Sequence, residues 1–292
     1  VDAGNVIRDC PCGARRVDRQ IGLESSPDEY VAALVAVFRE FRRVLRDDGT
    51  LWLNIGDSYA GGQTGRSDHG SDNPTVGLMG NSRGAVAPGP VRQRPVPPGY
   101  KPKDLLGIPW MLAFALRADG WYLRQEIIWS KPNPMPESVT DRPTRAHEQL
   151  FLLSKSPRYY YDYANIAEPA IYAGDNRRAR TDKTVAARIG YRPSGKPRSE
   201  PTADLRNKRS VWEIATQPYS EAHFATFPKT LVEPCVLAGS AAGDLVLDPF
   251  AGSGTVGQVA ISLGRSFVGI ELNPDYCELA RRRCQVTAPL FA

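Results

Sequence analysis

Near its C-terminal end the chain reads Asp244-Leu-Val-Leu-Asp248-Pro-Phe-Ala-Gly252-Ser-Gly254-Thr255, and a little later Phe267-Val-Gly-Ile-Glu271-Leu-Asn273-Pro. Leu245 to Leu247 form an apolar strand that runs into a glycine turn and then a helix. That order commits the region to an α/β unit in which a small molecule can approach bare backbone at Gly252 and Gly254. The second apolar run, Phe267 to Ile270, ends on Glu271, twenty-three residues after Asp248. An acid at the end of the second strand is where such folds hydrogen-bond a ribose diol. The turn departs from the dinucleotide fingerprint, because it reads D-P-F-A-G-S-G-T in place of G-x-G-x-x-G.

The rest of the chain sets bounds on this reading. Its 292 residues suffice for one large α/β domain with insertions, or for a domain plus a small module. No run of eighteen apolar residues occurs, which predicts no membrane span, and the first residues lack the pattern of a signal peptide. Five cysteines are an odd number, and only Cys10 with Cys12 and Cys277 with Cys284 lie close together. That usage predicts reduced thiols and a cytoplasmic protein. Cys10-Pro-Cys12-Gly has half the spacing of a zinc site, but His69, His147 and His223 are scattered, so no metal is expected.

Charge is concentrated. Residues 171–210 hold eleven basic side chains, among them Arg177, Arg178, Arg180, Lys183 and Arg188, against four acidic ones. The segment therefore carries +7 of a chain whose net charge is +5. A basic block in a near-neutral protein is an electrostatic footprint for a polyanion; a solvated insertion is the alternative.

Apolar spacing supplies the order of parts. Tyr30, Leu34, Val37, Phe38, Phe41 and Leu45 predict a helix opened by Pro27-Asp28-Glu29 and stopped by Arg46-Asp-Asp-Gly49. Strands are expected at 50–54, 125–129, 149–153, 245–247 and 267–270, and helices at 105–118, from 228 to near Gly239, and at 276–284. Residues 60–104, with nine glycines and seven prolines, read as a long mobile loop whose Arg66, Arg83, Arg92, Arg94, Lys101 and Lys103 can meet phosphates. Val211-Trp-Glu-Ile214 begins a new ordered piece.

These strings resemble one family along nearly the whole chain. The turn D-P-F-A-G-S-G-T is similar to the S-adenosylmethionine turn of amino-group DNA methyltransferases. Gln20-Ile-Gly-Leu-Glu, Gly49-Thr-Leu-Trp-Leu-Asn-Ile-Gly-Asp-Ser-Tyr59, Ile128-Trp-Ser-Lys-Pro-Asn-Pro-Met-Pro136, Arg142-Pro-Thr-Arg-Ala-His-Glu148, Ser210-Val-Trp-Glu-Ile214 and His223-Phe-Ala-Thr-Phe-Pro228 look like the bacterial and phage enzymes that modify cytosine N4 or adenine N6. The order is that of the permuted β-type. The resemblance implies a Rossmann-like α/β methyltransferase fold divided into a catalytic half at 1–164, a target-recognition insertion at 165–210 and a cofactor half at 211–292. It implies S-adenosylmethionine held by Phe224, Asp248, Phe250, Gly252, Gly254, Thr255 and Glu271, although core packing would also account for the two phenylalanines. It implies double-stranded DNA as partner, with cytosine N4 favoured over adenine N6 and the basic insertion on the phosphates. A homodimer and a paired restriction endonuclease remain open.

One departure bears on chemistry. An exocyclic amino group is a poor nucleophile, so such an enzyme flips the base out, stacks it and hydrogen-bonds both N–H groups; positioning is most of the catalysis. The family does this with (Ser/Asp/Asn)-Pro-Pro-(Tyr/Phe), just ahead of the region matching Ile7-Arg8-Asp9. Here that place reads Val1-Asp2-Ala3-Gly4, and Pro97-Pro98-Gly99-Tyr100 has an intervening glycine and lies in the loop. The catalytic acceptor is therefore unassigned. Asp57, Tyr59, Trp129 and Lys131 are candidates for the active-site wall, against a loop cap for Asp57 and a core position for Trp129. The expectation is an N-terminally shortened version of a longer protein that transfers no methyl group to duplex DNA until the upstream strand is restored. A decayed, non-catalytic binder of DNA or cofactor is the alternative. Carbon-5 cytosine methylation would need a cysteine nucleophile after proline. Pro11-Cys12 sits in a polar stretch and Pro234-Cys235 within an expected helix, which disfavours it.

Overall fold

Helix α1 (Pro27–Val44) begins where Ser26 Oγ accepts a hydrogen bond from Glu29 N at 3.2 Å, and Asp28 and Glu29 place negative charge on its first turn. Its buried side chains Tyr30, Val31, Leu34 and Phe38 share one stripe. The computed structural model describes residues 20–61, 96–170, 205–217 and 227–287. After α1 come strand β1 (Thr50–Ile55), helix α2 (Ile108–Ala118), β2 (Tyr122–Ser130) and β3 (His147–Ser154). A two-residue pair follows, β4 (Glu168–Pro169) with β5 (Leu205–Arg206), then β6 (Val211–Glu213) and helix α3 (Lys229–Gly239). Strand β7 (Leu245–Asp248), helix α4 (Thr255–Ser262), β8 (Ser266–Gly269) and helix α5 (Pro274–Thr287) complete the order.

The main sheet runs β1-β3-β2-β6, with β3 antiparallel to both neighbours and β6 parallel to β2. Strands β1, β2 and β6 therefore end on one edge, and β3 starts there, His147 facing Ser130. Strand β3 is buried from Gln149 to Ser154, which explains its unbroken Leu-Phe-Leu-Leu run. Helices α1 and α2 cover one face against Leu53, Phe151 and Leu153. On the other face Ile127, Trp129, Leu150 and Trp212 pack on Leu231 and Cys235 of α3. Val232 and Val236 of that same helix meet Val259 of α4, so α3 joins the main sheet to the parallel β7–β8 pair. Gly239 permits the approach: a Cβ there would stand 2.8 Å from both Thr50 Oγ1 and Trp52 Nε1. Among the described residues β7 pairs with β8 alone and β1 with β3 alone, so no strand lies between the two sheets.

Three expectations need correction. The expected strands omit β6, which is only three residues long and gains its identity from pairing with Ile128 to Ser130. The expected mobile loop over 60–104 is ordered at 96–104, where Ala60 N donates to Asp104 O and Lys103 N to Ala60 O, both at 2.8 Å. Within it, Pro97–Tyr100 is a tight turn, as Tyr100 N donates to Pro97 O at 3.2 Å and the ring packs on the core. Helix α2 starts at Ile108 rather than at Leu105, which instead bridges to Tyr59. No helix among the described residues is long and apolar enough to cross a membrane.

Candidate functional site

The glycine turn is built by its own backbone and closed by one acid. Asp248 Oδ1 accepts from Phe250 N at 3.0 Å, and Ala251 N donates to Ile270 O at 3.0 Å, tying the turn to the end of β8. Glu271 then reaches back: Oε2 accepts from Gly252 N at 2.9 Å and Oε1 from Asn273 N at 2.8 Å. Gly252 and Gly254 have φ of 49° and 78°, in the left-handed region that glycine enters freely. The two differ in surroundings. A Cβ on Gly252 would meet only Phe250 O at 3.9 Å, whereas one on Gly254 would stand 2.8 Å from Ala280 Cβ. The turn is thus open at Gly252 and packed on α5 at Gly254. Thr255 is buried at the start of α4, and Phe250 holds a half-exposed ring (50%) edge-on to Phe38. Burial pushes the Asp248 carboxyl above its usual range, and the neighbouring Glu271 adds to this, while the Phe250 N–H opposes it.

Asp248, Phe250, Gly252, Gly254, Thr255 and Glu271 therefore meet in one turn. Phe224 and the basic residues Arg177, Arg178, Arg180, Lys183 and Arg188 lie outside the described residues. Sequence reading missed Arg283, whose Nη1 donates to Ser253 O and Oγ, each at 2.7 Å, and so ties α5 to the turn. Nothing in its local pattern on α5 marks that role.

At the edge where β1, β2 and β6 end, the four wall candidates separate. The Asp57 carboxylate accepts from Ser58 N and Gly107 N at 2.9 Å and from Ile108 N at 3.1 Å, so it caps α2 from fifty residues away. Asp57→Ala should cost roughly 1–3 kcal/mol of stability by orphaning these donors. An unchanged urea midpoint would remove the capping role. Trp129 is 3% exposed, and its Nε1 donates to Ile214 O at 2.8 Å, which places the ring in the core. Tyr59 lies under Arg142, whose guanidinium carbon is 4.1 Å from the ring centroid and which also pairs with Glu137 at 2.7 Å. Lys131 Nζ stands 4.2 Å over the Trp129 ring and pairs with Glu148. Asn54 Nδ2 donates to Glu148 Oε2 at 3.2 Å, and Arg145 Nη1 to Asp57 O at 2.8 Å. No spacing along the chain marks this convergence, because Asn54 lies 94 residues from its partner Glu148 and Arg145 lies 88 residues from Asp57. Cys235 is buried on α3, where its Sγ lies 3.2 Å from Leu231 O and burial pushes the thiol strongly up, the opposite of what a cysteine nucleophile needs.

Comparison with known proteins agrees with this architecture. A family model described as DNA methylase, for enzymes acting at N6 or N4, matches residues 5–282. The chain is 45% identical over 299 residues to the type II methyltransferase M.Cfr9I of Citrobacter freundii, covering 97% of this chain and 86% of that protein. It is 49% identical over 264 residues to the type II methyltransferase M.SmaI of Serratia marcescens, covering 90% and 77%. Among solved structures, the cytosine-N4-specific PvuII DNA methyltransferase aligns with a TM-score of 0.55 at 17% identity, over 88% of this chain and 71% of that one. TTHA0409 of Thermus thermophilus, complexed with S-adenosyl-L-methionine, aligns with a TM-score of 0.52 at 22% identity, over 90% and 80%. The chain belongs to the N6/N4 amino-group DNA methylase family. It is an S-adenosylmethionine-dependent DNA methyltransferase with the α/β fold of that class.

Proposed function

We propose that this protein is a site-specific type II enzyme that methylates the exocyclic amino group of a base flipped from duplex DNA, with cytosine N4 favoured and adenine N6 the alternative. The observation that carries the reading is the turn closed by Glu271 on Gly252, in a chain whose type II relatives align over nine-tenths or more of its length. The residues fit the cofactor. Gly252 leaves space where any other residue would place a side chain, Phe250 offers a half-exposed ring, and Glu271 sits at the end of the second strand. Asp248, Phe250, Gly252, Gly254, Thr255 and Glu271, with Phe224, would hold S-adenosylmethionine, which supplies an electrophilic methyl on sulfur. Carboxylate oxygens carry lone pairs beyond those that Gly252 and Asn273 use, so Glu271 can also accept from ribose hydroxyls.

Lys131, Glu148 and Tyr59 form the wall on the target side, while Asp57 and Trp129 hold that wall in place. Arg177, Arg178, Arg180, Lys183 and Arg188 meet DNA phosphates from the 165–210 insertion, between a catalytic half at 1–164 and a cofactor half at 211–292. The test is transfer of a tritiated methyl group to duplex DNA by the complete gene product, followed by nucleoside analysis. Label on cytosine N4 is expected, label on adenine N6 selects the alternative, and label on cytosine C5 or on no base overturns the reading.

A further inference from the structure

Ser253 stands between two glycines of positive φ, Gly252 and Gly254. Glycine enters either hand of the backbone about equally, so the peptide joining Ser253 to Gly254 can turn over unless both its sides are held. Both are held. Gly254 N donates to Ala251 O at 2.8 Å. On the other side of the same peptide, Arg283 Nη1 of α5 donates to Ser253 O at 2.7 Å. That nitrogen also lies 2.7 Å from Ser253 Oγ and 3.4 Å from Thr255 Oγ1, and Nη2 donates to Gln258 Oε1 at 3.1 Å. Ser253 and Thr255 are buried, so removing the guanidinium would leave acceptors with little water to replace it.

The guanidinium approaches from the side of α5, where Gly254 packs on Ala280, whereas Gly252 opens on empty space. One side of the turn is thus clamped and the other is clear. We infer that Arg283 is a positioning residue for the methyl donor, fixing the Gly252–Ser253–Gly254 backbone in the shape that S-adenosylmethionine meets. The inference rests on the reading that the Asp248–Thr255 turn holds that cofactor. Arg283 acts through the turn: a backbone already ordered loses less conformational freedom when a ligand binds. Its planar fork of donors suits the task, because one group spans Ser253, Thr255 and Gln258 at once.

Isothermal calorimetry with S-adenosylmethionine on the whole protein provides the test, below the melting temperature of every variant. Arg283→Met keeps the aliphatic stem and should bind about five- to thirtyfold more weakly, the ordering of roughly one freed residue. Arg283→Lys retains a single donor group for Ser253, so its affinity should fall between that of Arg283→Met and the wild type. Arg265→Met is the matched control. Arg265 Nη2 donates to Ser240 O at 2.8 Å and its Nε to Ser240 Oγ at 3.2 Å, at the end of the β7–β8 pair away from the turn. Its loss should lower the melting temperature and leave cofactor affinity at the wild-type value. Equal weakening in the two Met variants would make Arg283 a purely structural anchor and overturn the inference. So would wild-type affinity in Arg283→Met beside weakened binding in Glu271→Ala. Wild-type affinity in both Arg283→Met and Glu271→Ala would instead remove the cofactor from this turn, which separates the two failures. Without cofactor, hydrogen exchange at Gly254 N should quicken in Arg283→Met and not in Arg265→Met, and an unchanged rate would show that the peptide needs no clamp.

Discussion

Gly254→Ala is expected to destabilise the protein by roughly 2–5 kcal/mol, the sum of a left-handed backbone and an overpacked contact. At φ 78° a side chain is strained wherever it stands. The added Cβ would also stand 2.8 Å from Ala280 Cβ and 2.9 Å from Ala280 Cα, and the second of these belongs to the backbone of α5. Helix α5 cannot yield easily, because Arg283 anchors it to Ser253 in the same turn. Gly252→Ala is the matched comparison. Its φ of 49° carries a similar conformational penalty, but open space surrounds the new methyl. It should therefore cost about 1–2 kcal/mol. Urea unfolding of the two variants isolates the packing contribution. Equal losses would show that contact with α5 contributes nothing.

Glu271→Ala should weaken S-adenosylmethionine binding by about ten- to a hundredfold, the equivalent of roughly 1.5–3 kcal/mol for a charge-assisted hydrogen bond. Two effects act in the same direction. The variant loses an acceptor for ribose hydroxyls, and it frees Gly252 N and Asn273 N, so the turn itself loosens. Glu271→Gln should restore little. One of its two positions becomes an NH2 group and must face a backbone N–H that already donates there. Calorimetry showing wild-type affinity in Glu271→Ala would end the ribose role, and wild-type affinity in Glu271→Gln alone would show that only one oxygen matters.

Much of the fold was legible beforehand because the signals are local. The α1 stripe, the buried run of β3 and the order of strand, turn and helix around Asp248 each lie within a few consecutive residues. Period and turn chemistry therefore suffice to find them. Segments with little period of their own were misjudged. Strand β6 is three residues long and exists as a strand only beside β2, and residues 96–104 read as loose because Pro and Gly dominate them. They are held by long-range bonds to Ala60 and by Tyr100 packing on the core.

The sequence by itself determined the glycine turn, its acid partner twenty-three residues on and the family that this string identifies, because those constraints sit in adjacent residues. Only the tertiary structure decided which polar side chains meet one another across distant segments. Asp57 could have been a wall residue or a cap, and its bonds to Gly107 and Ile108 make it a cap. Glu148 acquires Lys131 and Asn54 as partners, and Asn133 acquires Thr216, eighty-three residues away. Such pairings depend on how β1, β2, β3 and β6 bring their ends to one edge. Hydrogen bonds of that kind are set by three-dimensional register, and no spacing along the chain encodes them.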